Sequence, residues 1–193
     1  MIKLLFPTPI NISTLKEPTH LIYDEVGFLL NKGYTNKVIS GVNGDRIDIT
    51  NEFFEKENLT YIPTLLNNIQ KNILSFCKDI CIKPQYITES WININPTNSY
   101  NKRHCHPGSV ISGTYYIKYP IDADSPICFY RSREFSDYGW TYAADRDVDE
   151  LKSYYSHHPC ENELIMFPSY LDHDVASNHS KDSRVSLAFN TSP

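Results

Sequence analysis

ESWININPTNSYNKRHCHPGSVISGTYYIKYP, residues 89–120, is the stretch whose reading decides the fold. Trp91, Asn93 and Asn95 alternate with Ile92 and Ile94, and Ser112, Thr114 and Tyr116 alternate with Gly113, Tyr115 and Ile117. A period of two is that of an extended strand whose two faces meet different surroundings. The same alternation returns downstream. Cys128 and Tyr130 flank Phe129, and Val185, Leu187 and Phe189 alternate with Ser186, Ala188 and Asn190. Residues 164–167 form a short apolar run ended by Pro168. Several short strands with turn residues between them predict a β-sandwich or barrel.

Upstream the period lengthens. Leu65, Leu66, Ile69, Ile73, Phe76, Cys77 and Ile80 recur at three and four, which predicts a helix over 62–80 with one apolar stripe. Pro63 falls in its first turn, where a missing N–H costs little. Leu21, Ile22, Val26, Leu29 and Leu30 predict a second helix over 18–32, stopped by Gly33. Pro7 and Pro9 make residues 1–10 an edge strand or arm. Helices followed by strands describe a mainly β chain with packing helices, an α+β arrangement. The expected organisation is a single domain over 1–193, helix-rich over 11–85 and with a β core over 86–193.

Composition narrows the functional classes. The formal net charge of −5 disfavours a sequence-independent grip on nucleic acid. No apolar run approaches the roughly 20 residues that cross a bilayer, so no membrane partner is expected. The N-terminal MIKLLFPTPI lacks the apolar core and cleavage site of a signal peptide. Five Cys without regular spacing suit reduced thiols. The expected location is therefore the cytoplasm, and the glycosylation sequons at Asn11, Asn58 and Asn190 are expected to go unused.

The chemistry concentrates in a few residues. His104 and His106 stand two apart, so on extended chain both imidazoles point to one side. His173 follows the apolar run 164–167 and can supply a third ligand from a distant strand. Three ligands on one face leave positions open for substrate, cosubstrate and O2. Arg184, at the start of the last strand, can clamp a carboxylate with two parallel hydrogen bonds. Ser186 shares its strand face and can donate to the same carboxylate. Asn93 or Asn95 is expected to line the pocket, with Trp91 as ordinary packing. Cys105, Asp172 and Asp174 alternate with these histidines and should point away from the site. His157, His158 and Cys160 read as a surface loop rather than a second metal set.

Four stretches carry a family resemblance: LFPTPI (5–10), residues 89–120, NELIMFPSYLDHDV (162–175) and SRVSLAFN (183–190). The chain resembles the 2-oxoglutarate/Fe(II)-dependent oxygenases that occur as short bacterial and phage chains, related to the prolyl 4-hydroxylase branch. The resemblance implies a double-stranded β-helix, that is, a cupin-like jelly roll. It implies Fe(II), with 2-oxoglutarate and O2 as cosubstrates. His104 and His173 match the two metal-binding histidines, Arg184 the partner of the distal carboxylate, and Tyr116 a tyrosine that hydrogen-bonds it. The wider superfamily writes its first motif His-x-Asp, whereas this chain has His106 in the second place. A three-histidine set of His104, His106 and His173 is the expectation.

The implied reaction is hydroxylation of a C–H bond with release of succinate and CO2, on a peptide side chain or small molecule the sequence does not name. A three-histidine zinc hydrolase or lyase and a non-catalytic cupin-like binding module are the competing readings. A bacterial or phage-infected cell is the implied setting, and a homodimer is the assembly left open. The Tyr-rich excursion 130–155 is the candidate lid.

Overall fold

The computed structural model describes residues 7–37, 41–49, 51–131 and 154–192. The first half holds β1 (Asn11–Thr14), α1 (Thr19–Asn31), β2 (Asn36–Lys37), β3 (Gly41–Val42), β4 (Asp45–Ile49), α2 (Asn51–Glu57) and α3 (Tyr61–Asp79). The second half holds β5 (Tyr86–Asn95), β6 (Tyr100–His104), β7 (Ile111–Lys118), β8 (Ile127–Tyr130), β9 (Tyr154–His157), β10 (Glu163–Pro168), β11 (His173–Val175) and β12 (Arg184–Ser192). A seven-stranded sheet runs β1-β10-β7-β12-β5-β4-β2, and a five-stranded sheet runs β3-β6-β11-β8-β9. Every strand pair is antiparallel. This is the mainly β, two-sheet fold of the double-stranded β-helix.

Alternation along β5, β7 and β12 sorts side chains between two environments. Ile92, Ile94, Tyr115, Ile117, Val185 and Leu187 share one buried cluster with Ile22, Val26 and Leu29 of α1 and Ile62, Leu65, Ile69 and Ile73 of α3. The helices thus cover the outer face of the large sheet. A smaller cluster of Tyr116, Ile127, Phe129, Ile165, Phe167 and Leu171 lies on the inner side. The two clusters leave the polar residues of the same strands facing inward.

Both expected helices form. The α3 N-terminus is closed from a distance: the Glu25 carboxylate of α1 accepts from the N–H groups of Thr60, Tyr61 and Ile62 at 2.7, 2.9 and 2.8 Å. A carboxylate there satisfies orphan donors and meets the positive end of the helix dipole. Gly33 takes φ +80° just beyond α1, where a side chain would be strained. At Gly113 an added Cβ would meet the Phe189 ring and lie 2.8 Å from the Ile165 carbonyl oxygen, so close packing requires glycine.

Residues 7–10 form an arm that leads into an edge strand. Pairing with β10 covers Asn11–Thr14 rather than the proline-bearing arm before it. Pro7 and Pro9 have no N–H to give a ladder, so pairing begins after them. Residues 1–6 of that arm lie outside the described residues. So do residues 132–153, most of the candidate lid. Strands β2, β3 and β4 and the short α2 add to what the sequence suggested. Among the described residues no helix is long and apolar enough to cross a membrane.

Candidate metal centre

The register of the small sheet builds the centre. β11 pairs with β6 so that His173 stands directly opposite His104. Their ring centroids are 4.4 Å apart. His106, two residues past His104, lies 5.1 Å from the His104 ring and 5.2 Å from the His173 ring. One ligand-capable nitrogen from each of the three lies within 4.8 Å of the others. Among the described residues no other group of three or more His, Cys, Asp or Glu is so arranged.

Two of the rings are preset. His104 Nδ1 meets the Lys102 carbonyl at 2.6 Å, and His173 Nδ1 meets the Leu171 carbonyl at 2.9 Å. A carbonyl only accepts, so each Nδ1 carries a proton and Nε2 is the nitrogen left for a metal. Burial pushes the His173 imidazole down to about 3, with the nearby His104 ring adding to it. Burial, then the same neighbour, pushes His106 down to about 4. Both are therefore neutral near pH 7, the state a metal ligand needs.

The flanking acids face elsewhere, as the alternation predicts. Asp172 pairs with Arg103 at 2.9 Å, and Asp174 accepts from the Tyr130 hydroxyl at 2.7 Å. His157 is tied to Glu163 at 2.7 Å, and His158 lies 3.6 Å from Asp124, so neither joins a metal set.

The other end of the pocket is built for an anion. Arg184 opens β12 opposite Asn95 and is 2% exposed. Its guanidinium donates to Ser125 Oγ and to the Ala176 carbonyl at 3.4 Å. Among the described residues no carboxylate lies within ion-pair distance of it. A buried cation without a counter-charge is costly. Burial accordingly lowers its pKa. Tyr116, 2% exposed, lines the same pocket, and burial holds its phenol protonated well above its ordinary range. Asn93 Oδ1 and Asn95 Nδ2 are buried there without a hydrogen-bond partner. Ser186 completes the polar lining. These unsatisfied groups fit a polar, anionic guest, and the three clustered imidazoles fit a divalent metal.

Three features escaped the sequence reading. Trp91 forms pocket wall rather than simple packing, with the Arg46 guanidinium 4.3 Å over its ring. Ser125 and Tyr119 hold the arginine end: Ser125 Oγ donates to the Ala176 carbonyl at 2.5 Å, and Ser125 N–H donates to Tyr119 Oη at 3.1 Å. Tyr119 comes just past the strand and Ser125 sits in a loop, so no periodicity marks either.

Residues 89–190 match the family described as "Putative 2OG-Fe(II) oxygenase". The chain belongs to this family. Membership implies Fe(II) and 2-oxoglutarate, to which the centre and its cationic end correspond. A prolyl-4-hydroxylase from Pseudomonas putida superposes with TM-score 0.67 at 13% identity, covering 95% of this chain and 92% of that one. A viral collagen prolyl hydroxylase from Paramecium Bursaria Chlorella virus-1, in its 2OG complex, gives TM-score 0.61 at 12% identity, covering 95% and 96%. The non-heme alpha-ketoglutarate-dependent carbocyclase SnoK from nogalamycin biosynthesis gives 0.68 at 10% identity, covering 95% and 79%. At such identities these likenesses establish the fold of this oxygenase-family chain. No curated protein matches it in sequence.

Proposed function

We propose that the chain is an Fe(II)- and 2-oxoglutarate-dependent dioxygenase that hydroxylates a C–H bond of its substrate. His104, His106 and His173 hold the iron through one imidazole nitrogen each. Arg184 pairs with the distal carboxylate of 2-oxoglutarate, and the protonated Tyr116 hydroxyl donates to it. Ser186, Asn93 and Asn95 supply the remaining polar contacts of the cosubstrate. Bound iron, 2-oxoglutarate and O2 supply the oxidation, with release of succinate and CO2. The protein's part is to orient the reactants and to keep bulk water from the buried end of the pocket.

One observation carries this reading: a buried arginine with no acid beside it among the described residues opens into the same pocket as three clustered imidazoles. Zinc chemistry by itself does not account for that arginine. A binding module would take up the ligand and turn nothing over. The test is anaerobic addition of Fe(II) and 2-oxoglutarate to the metal-free protein, followed by O2. A weak visible charge-transfer band and then O2-dependent succinate are expected. A folded, iron-loaded protein giving neither would overturn the reading. Arg184→Ala should raise the 2-oxoglutarate requirement tenfold or more. A charge-assisted hydrogen bond contributes about 1.5–3 kcal/mol, and each ~1.4 kcal/mol is a factor of ten.

A further inference from the structure

His104 and His173 each rest on a main-chain carbonyl, but among the described residues the His106 ring meets none. The hydrogen-bonding group that meets its ring is Asn190, whose Nδ2 lies 3.5 Å from His106 Nδ1. Strand register sets Asn190 on β12 between Glu89 on β5 and Ser112 on β7. Asn190 Oδ1 accepts from Ser112 Oγ at 2.7 Å, and Asn190 Nδ2 donates to Glu89 Oε2 at 3.2 Å. Ser112 Oγ also meets Ser169 Oγ at 2.8 Å. The Ser169 carbonyl in turn accepts from the His106 N–H at 2.9 Å. A closed circuit therefore runs from the His106 ring through Asn190, Ser112 and Ser169 back to the His106 main chain.

Asn190, Ser112 and Ser169 are all buried. Main-chain pairing builds these strands without help from their side chains, so the buried polar row answers some other need. Burying polar groups costs free energy unless each finds a partner, and here the partners converge on one histidine.

We propose that Asn190, with Ser112 behind it, is the positioning residue for His106 and sets that ring toward the metal. The proposal rests on His106 being a metal ligand. It also accounts for the departure from His-x-Asp. An aspartate ligand has no tautomer to set. An imidazole does, and the partner on its other nitrogen sets it. With Nδ2 on Glu89, the Asn190 amide donates to a bare Nδ1 and the ring proton stays on Nε2. Turned over, the amide gives up Glu89 and offers Oδ1 to an Nδ1–H, which frees Nε2 for a metal, so metal binding selects the turned-over form. The Ser112 hydroxyl can donate or accept, so it follows the amide in both orientations.

Co(II) titration of the full chain, followed by its visible bands, tests this without turnover. Asn190→Ala should weaken Co(II) binding about tenfold to a hundredfold, the usual cost of losing a partner behind a ligand, and should shift the bands. Asn190→Asp loses its donor to Glu89 but still accepts from Ser112 and from an Nδ1–H, and, paired with Glu89→Gln to remove the facing carboxylate, should bind closer to wild type than Asn190→Ala does. A merely structural Asn190 would lower the melting temperature of the metal-free protein and leave affinity and bands unchanged, which overturns the proposal. His106→Ala separates the two levels. If it binds Co(II) like wild type, the three-histidine ligand set itself fails, and the proposal with it. If it binds weakly while Asn190→Ala does not, only the positioning role fails. Should Asn190→Ala not fold, Ser112→Ala, which removes one hydroxyl, carries the test: weaker binding supports the circuit, and unchanged binding overturns it.

Discussion

The large sheet has two faces made by the same strands, and they use burial in opposite ways. Along β5, β7 and β12 the outer residues Ile92, Ile94, Tyr115, Ile117, Val185 and Leu187 sit under the helices. The inner residues Trp91, Asn93, Asn95, Thr114, Tyr116, Arg184 and Ser186 line the pocket. Outer burial removes apolar surface from water and stabilises the fold. Inner burial strips solvent from a guanidinium and two amides and opposes it. Stability and function are thus separated by one residue step along each strand. A guest that satisfies the inner face should return part of the cost.

Acid breaks the comparison most sharply, because His106 and His173 titrate and the outer face does not. In the folded, metal-free protein these rings stay neutral down to about 4 and about 3, while the unfolded chain takes up protons near 6.5. The stability tied to this difference is present above pH 6.5 and is lost as pH falls toward 3–4. Urea unfolding of the metal-free protein should show the decline starting near pH 6.5. A flat profile between pH 7 and 4 would mean that the two rings are not shielded as described.

Next in size comes an outer-face deletion. Leu187 is fully buried. Leu187→Ala should cost about 2–5 kcal/mol in urea unfolding, with the 2-oxoglutarate requirement of the surviving folded protein nearly unchanged. The inner neighbour on the same strand should behave in the reverse way. Arg184→Met replaces a buried cation that has no carboxylate partner among the described residues with an apolar side chain of similar length. It should leave the metal-free protein as stable as before or more stable by up to about 1–4 kcal/mol, while 2-oxoglutarate no longer raises its melting temperature. A strongly destabilised Arg184→Met would mean that the arginine is a structural strut.

Much of this was legible in the sequence. Period-two alternation located β5, β7 and β12, and period 3.6 located α1 and α3, because each pattern is imposed by backbone geometry. The cluster of His104, His106 and His173 was legible for a related reason. An i, i+2 pair on extended chain shares a side, and a third histidine followed a second strand. The role of Trp91 was not legible. Alternation says which residues share a face, but not whether that face meets a helix or a cavity. Asn190 read as the end of an alternating strand. Only its register against Glu89 and Ser112, and the turn that carries His106 over it, give it a task. The Glu25 cap on α3 was hidden likewise, since α1 and α3 are brought together by packing alone.

The sequence by itself determined the local elements, the mainly β class and the residue types able to hold a metal and an anion. Those follow from periodicity and side-chain chemistry, which act within a few residues. The tertiary structure alone decided the partners. It set His173 opposite His104, buried Arg184 at the far end of the same pocket and tied His106 to a buried polar circuit. Such pairings depend on strand register between segments far apart in the chain, and a shift of one residue would turn every one of these side chains to the other face.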